Sequence, residues 1–160
     1  MLSKFLNRTF TVSDAAWAAD VDIETLRSWI KRGKFEIPLE SGKWTRLSFA
    51  NLCQVAAFSE VLASQGNHTL AQFIAEGSYD FFSGIQPSYD KTISGGEVFV
   101  LCGREVDGGG NHIGGIIFHD ISSLTNKVSS LLSDGAASFS LVSLSAILAN
   151  VINRLSSMDK

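Results

Sequence analysis

Cysteine and proline are scarce in this chain, at two each in 160 residues. Cys53 and Cys102 stand far apart without metal-ligand neighbours at useful spacing, and Cys53 falls in an apolar helical run, where it reads as a small buried hydrophobe. No apolar run approaches eighteen residues, and no basic-then-apolar leader opens the sequence, which points to a soluble cytoplasmic protein with no membrane partner. Charge of neither sign dominates. The formal net charge is −3, so the chain is not a polycation, and any affinity for nucleic acid must come from a local patch. No Ser-His-Asp or Cys-His arrangement and no paired carboxylates for acid/base work stand out, so an enzyme is not expected.

Apolar residues make up 45% of the chain and charged ones 18%, enough for a real core and too little polarity for global disorder. The charge is unevenly placed. Between Arg27 and Arg46 the cations Arg27, Lys31, Arg32, Lys34, Lys43 and Arg46 face only Glu36 and Glu40, an excess of four positive charges. From Tyr79 onward, five cations face eight carboxylates.

The stretch TVSDAAWAADV (residues 11–21) reads as a short alanine-rich helix with Ser13 as N-cap, broken at Asp20-Val21. A second helix follows, with Asp22 as N-cap, Glu24 in the first turn and Gly33 as its stop. Ile23, Leu26 and Ile30 form its apolar stripe, with Trp29 adjoining. Thr25, Arg27, Ser28, Lys31 and Arg32 fall on the opposite face. Phe35, Ile37 and Leu39 alternate with polar residues, a turn follows at Glu40-Ser41-Gly42, and Trp44 and Thr45 resume a β-favouring run. This predicts a small hairpin with Pro38 on an edge strand and with Lys43 and Arg46 on the return. Ser48 then caps a long helix ending at Gly66, and Thr69 caps another that runs to about Gly84.

The segment SGIQPSYDKTISGG reads as a linker. Beyond it, EVFVLCG (97–103) and HIGGIIFHD (112–120) read as strands joined by a flexible glycine-rich connection. SSLTNKVSSLLSDG reads as a helix, ASFSLVSL as a third strand, and LSAILANVINRL as a last helix. That last helix carries Leu144, Ile147, Leu148, Val151, Ile152 and Leu155 on one apolar stripe, wide enough for a core or a partner helix. At about 65 residues such a ββαβα unit has a marginal core of its own, and docking on a second copy through this stripe is the expected remedy. The glycine-rich loop lacks the Lys-Ser/Thr of a phosphate loop, and Cys102, Asp107, His112, His119 and Asp120 match no metal-ligand spacing, so no cofactor or metal is expected.

Two short helices joined by a tight turn, with a basic face on the second and a cationic hairpin behind it, describe a winged helix-turn-helix. A three-helix cap with a solvated basic face fits the same pattern. TVSDAAWAADVDIETLRSWIKRGKF followed by SGKWTRLSFANLCQVAAFSEVLASQGNHTLAQF resembles the DNA-binding domain of the MerR family of transcriptional regulators, over about residues 9 to 76. Thr25, Leu26 and Arg27 match that family's Thr-Leu-Arg, Gly33 its glycine after the helix, and Arg46 and Ser48 the Arg and Ser that end its wing. Ser28 and Trp29 stand where the family has two tyrosines, Asp20 stands at its turn glycine, and Leu47 replaces the wing tyrosine. The family continues into a long coiled-coil helix, where this sequence turns to mixed helix and strand.

The resemblance implies phosphate contacts by Arg27 and Arg46, and by Ser13 at the start of the first helix. The expectation is therefore an α+β chain: a MerR-like winged helix-turn-helix domain over 9–84 and a small α/β (ββαβα) dimerisation or regulatory domain over 95–158. Its partners would be double-stranded DNA and a second copy of itself. Ser28, Lys31 and Arg32 would meet the groove, while Arg27, Lys43 and Arg46 anchor phosphates. A protein-interaction module and an effector-sensing regulator, each using the C-terminal domain, are the alternatives; the sequence specifies no effector.

Overall fold

The computed structural model describes residues 3–35, 37, 45–84, 98–107, 110–118, 121–133 and 139–159. The chain is rich in helix with a smaller strand component. It divides into two compact units, one of Met1–Asp90 together with Ile147–Lys160, the other of Lys91–Ala146.

The first unit is helical. After a one-turn α1 (Ser3–Leu6), α2 spans Val12–Ala18 and α3 spans Ile23–Lys31. Thr11, not Ser13, is the N-cap of α2. Its side chain accepts from the Asp14 N–H while the Asp14 carboxylate accepts from the Thr11 N–H, a closed capping box. Thr11 has a carboxylate three residues on and Ser13 has Ala16, so only Thr11 can complete that exchange. Asp22 caps α3 as expected, accepting from the N–H groups of Glu24 and Thr25. Gly33, at φ 67°, ends it: the Gly33 N–H reaches the Ile30 carbonyl and the Lys34 N–H the Trp29 carbonyl, the paired bonds of a Schellman motif.

The two long helices α4 (Phe49–Gln65) and α5 (His68–Ser83) pack on each other across Gly66 and Asn67. Ser48 caps α4 as expected, in a second capping box with Asn51. Asn67 caps α5 in place of Thr69, because its side chain reaches the Leu70 N–H from the position directly after the left-handed Gly66. Every residue from Phe49 to Phe58 is buried, so α4 is the axis of the unit rather than an amphipathic surface helix. Phe58 is fully buried and meets Trp29 of α3 edge-on at 4.9 Å and Phe35 at 5.4 Å.

The expected hairpin falls largely outside the described residues, which exclude Glu36 and 38–44 and with them Pro38 and Lys43. Of its first strand, Phe35 and Ile37 are buried, and the Ile37 N–H bonds the Phe35 carbonyl. Leu47 pairs with Phe10 through two backbone hydrogen bonds, of 2.8 and 2.9 Å. The expected linker, 85–97, also lies outside the described residues.

In the second unit, β1 (Phe99–Asp107) is the centre of an antiparallel sheet ordered β2-β1-β3, with β2 at Gly110–Phe118 and β3 at Phe139–Ser143. The β1–β2 ladder runs to the pair Asp107↔Gly110, so most of the stretch expected to be a glycine-rich loop is paired strand. Helix α6 (Ile121–Ser133) touches β2. Among the side chains described there, Val98, Val100, Leu124, Val142 and Leu144 are buried, and Val100 stands opposite Val142 in the register.

The last helix, α7 (Leu144–Met158), starts in the second unit, where the Val98 carbonyl accepts from the Leu144 N–H. From Ile147 onward it belongs to the first. Five residues of its stripe, Leu144, Ile147, Leu148, Val151 and Leu155, are buried inside this single chain, and Ile152 is half-buried. The stripe expected to hold a second copy is filled by the chain's own core, because apolar area of that width is removed from water most directly by the helices nearest to it.

Candidate nucleic-acid interface

The candidate surface is built on α2, α3 and the segment before α4. Helix α2 ends at Ala19, and Asp20 carries the chain round at φ 54°, a left-handed conformation that Asp tolerates better than most side chains. Val21 then donates back to the Ala16 carbonyl, which fixes the short turn into α3. Leu26 and Ile30 are buried and anchor α3, while Ile23 and Trp29 are half-buried at the edge of that contact. Thr25, Arg27, Lys31 and Arg32 are exposed and Ser28 is half-buried. The apolar and cationic residues thus fall on different sides of one helix.

Ser13 is exposed in the first turn of α2, and Arg46 is exposed beside the Phe10–Leu47 bridge that brings its segment to the residues just before α2. Of the expected contact residues only Lys43 lies outside the described residues. The expected residues of α7 are not part of this surface, since they are core.

The electrostatics separate the cations into two groups. Arg27 is paired with Glu24, one turn away on the same helix face, so its charge is partly cancelled. Among the described residues, Lys31, Arg32 and Arg46 form no ion pair. Lys4 and Arg8 are both held by Asp159, at 2.7 and 3.1 Å. Arg154 is held by Asp20 at 2.7 Å and also donates to the Trp17 carbonyl. The Asp22 carboxyl lies below the usual carboxylate range, chiefly because the Thr25 N–H donates to it, with partial desolvation opposing. Its negative charge also suits the N-terminal end of α3.

The Asp20–Arg154 and Asp159 contacts were invisible to sequence reading. Their partners are separated by more than a hundred residues and carry no local pattern, and only the return of α7 onto the first unit joins them. The α2–α3 surface offers guanidinium and ammonium donors with no ion-pair partner among the described residues at Lys31, Arg32 and Arg46, together with the hydroxyls of Ser13, Thr25 and Ser28. Among the described residues no group of three or more His, Cys, Asp or Glu could hold a metal ion. No helix there is long and apolar enough to cross a membrane.

No protein-family model matches the chain, and no curated protein matches it. The functional reading therefore rests on this surface and on the residue order that carries the family resemblance.

Proposed function

We propose that the chain is a sequence-specific double-stranded DNA-binding transcriptional regulator acting as a homodimer. In this reading α2 and α3 are a helix-turn-helix, and the segment carrying Lys43 and Arg46 is its wing. The observation that carries the reading is the split of α3. Leu26 and Ile30 supply its hold on the core, while Lys31 and Arg32 stand exposed and unpaired among the described residues of an otherwise acidic chain. A solvated face alone gives no reason for cations to gather where the described residues supply Lys31 and Arg32 with no carboxylate partner.

An α-helix with its side chains is about 10–12 Å across and the major groove is about 12 Å wide, so α3 fits it end-on or lengthwise. Ser28, Lys31 and Arg32 then face base edges or the groove wall. Arg27, Arg46 and Lys43 bind phosphates, with Ser13 at the start of α2 doing the same. Arg27 exchanges Glu24 for a phosphate on binding. Two copies of α3 in a dimer would meet successive grooves about 34 Å apart. The dimer contact, on this reading, is elsewhere than the α7 stripe.

Fluorescence anisotropy of labelled duplexes tests the reading. Binding weakens steeply with salt, with a log–log slope of roughly −5 to −8 for a dimer making that many phosphate contacts. Arg27→Ala and Arg46→Ala weaken binding to all duplexes alike, whereas Lys31→Ala or Arg32→Ala also narrows the gap between preferred and random sequences. An affinity indifferent both to salt and to Arg27 and Arg46 removes the proposal.

A further inference from the structure

A cavity of about 260 Å³ opens within the first unit, between the end of α2, the middle of α4 and the middle of α7. Its polar lining comes from Asp20, Glu60, Asn150, Asn153 and Arg154. Its apolar lining includes Ala56, Ile147 and Val151, all of them buried side chains.

The charges do not cancel. Arg154 is committed to Asp20 at 2.7 Å, its second terminal nitrogen donates to the Trp17 carbonyl at 3.2 Å, and its guanidinium lies over the Trp17 ring. Asp20 and Arg154 therefore neutralise each other and are held in place from three directions. Glu60 is exposed and has no ion-pair partner among the described residues, which leave its negative charge in the cavity lining uncompensated. An anion entering it would meet Glu60 and Asp20 with the one cation already engaged. A small cation would meet the Glu60 carboxylate and the side chains of Asn150 and Asn153, whose amide oxygens are the kind of acceptor an ammonium group needs. At 260 Å³ the space is smaller than the usual pocket for a drug-sized ligand, which restricts the guest to a short carbon skeleton.

We propose that this cavity binds a small organic ammonium ion, with its N–H donors on the Glu60 carboxylate and the amide oxygens of Asn150 and Asn153 and its carbon skeleton against Ile147 and Val151. The site uses none of the proposed DNA-contacting residues and stands whether or not the chain binds DNA.

The test is an NMR titration of the full chain, following backbone amide shifts at constant ionic strength. The probes are butylammonium, the isosteric neutral butanol and the anion butyrate. Butylammonium produces saturable shifts confined to the end of α2 and the middles of α4 and α7, and the two controls do not. Glu60→Gln, at an exposed position whose unchanged shifts elsewhere report an intact fold, weakens butylammonium binding about tenfold, the loss of one charge-assisted contact. Shifts that fail to saturate, that appear equally with butanol or butyrate, or that survive Glu60→Gln undiminished overturn the site.

Discussion

Gly33 and Asp22 bracket α3, and each acts through its backbone surroundings. A Cβ added at Gly33 would meet nothing within 4 Å, so the only cost of a side chain there is the left-handed φ of 67°. Gly33→Ala is therefore expected to lower stability by about 1 kcal/mol in urea denaturation, with no loss of packing. At the other end, the Thr25 N–H and its neighbours hold the Asp22 carboxyl below its ordinary value of 3.8. A depressed folded-state pKa contributes stability that is present above the unfolded value and lost as pH falls through the folded one. Asp159 behaves alike, lowered by hydrogen bonds from Lys4 first and Arg8 second. Melting temperature should accordingly fall as pH drops below about 4, and Asp22→Asn, which keeps a capping side chain but cannot titrate, should flatten that decline. An unchanged acid limb in the variant would show that the Asp22 cap is not linked to folding. Cys53 was legible as a core residue from its apolar neighbours, and its full burial pushes the thiol far above its ordinary range.

Helices were the most legible elements: α3 announces itself by a cap, an apolar stripe and a glycine, and α4 and α5 by long apolar-rich runs that end at glycines. The sequence pointed to Ser13 and Thr69 as caps, and the structure places the caps two residues earlier in both helices. Thr11 prevailed over Ser13 through Asp14, and Asn67 over Thr69 through its reach to Leu70. What α4 does was not legible, since a helix buried on every side from Phe49 to Phe58 has no single stripe to detect. Its role is to hold the others. Phe58 touches Trp29 of α3 and Phe35 beyond it, so it ties the candidate recognition helix to the core. Phe58→Ala is expected to cost about 3–5 kcal/mol, measured by chemical denaturation, with little relaxation because aromatic rings enclose the site on two sides. A loss below about 1 kcal/mol would mean that α3 is held chiefly by Leu26 and Ile30.

For the whole molecule, the deciding feature is the return of α7. A reading by order along the chain puts residues 95–158 together, yet Ile147–Lys160 group with the first unit. Arg154 closes on Asp20 at the α2–α3 turn, and Asp159 on Lys4 and Arg8, so charges from the two ends of the chain meet. These exposed pairs contribute little individually, and burial of the stripe is the larger effect. Removing Ile147, Leu148, Val151 and Leu155 from that core would forfeit about 1.5–3 kcal/mol for each side chain, a sum comparable to the whole stability of a domain. Leu148→Asp is therefore expected to unfold the protein in circular dichroism rather than release a folded monomer. A well-folded variant of altered oligomeric state would instead return the stripe to an interface role.

Local physics, acting over a few residues, was enough for the sequence to determine helix positions, the split of α3 into apolar and cationic faces, the three strand segments and the cationic excess around residues 27–46. Capping, periodicity and glycine conformation are all short-range, and they read directly from neighbours in the chain. Tertiary structure alone decided where α7 packs and which carboxylates neutralise Lys4, Arg8 and Arg154. Those outcomes depend on contacts across more than a hundred residues, where an apolar stripe specifies that it must be covered but not by what.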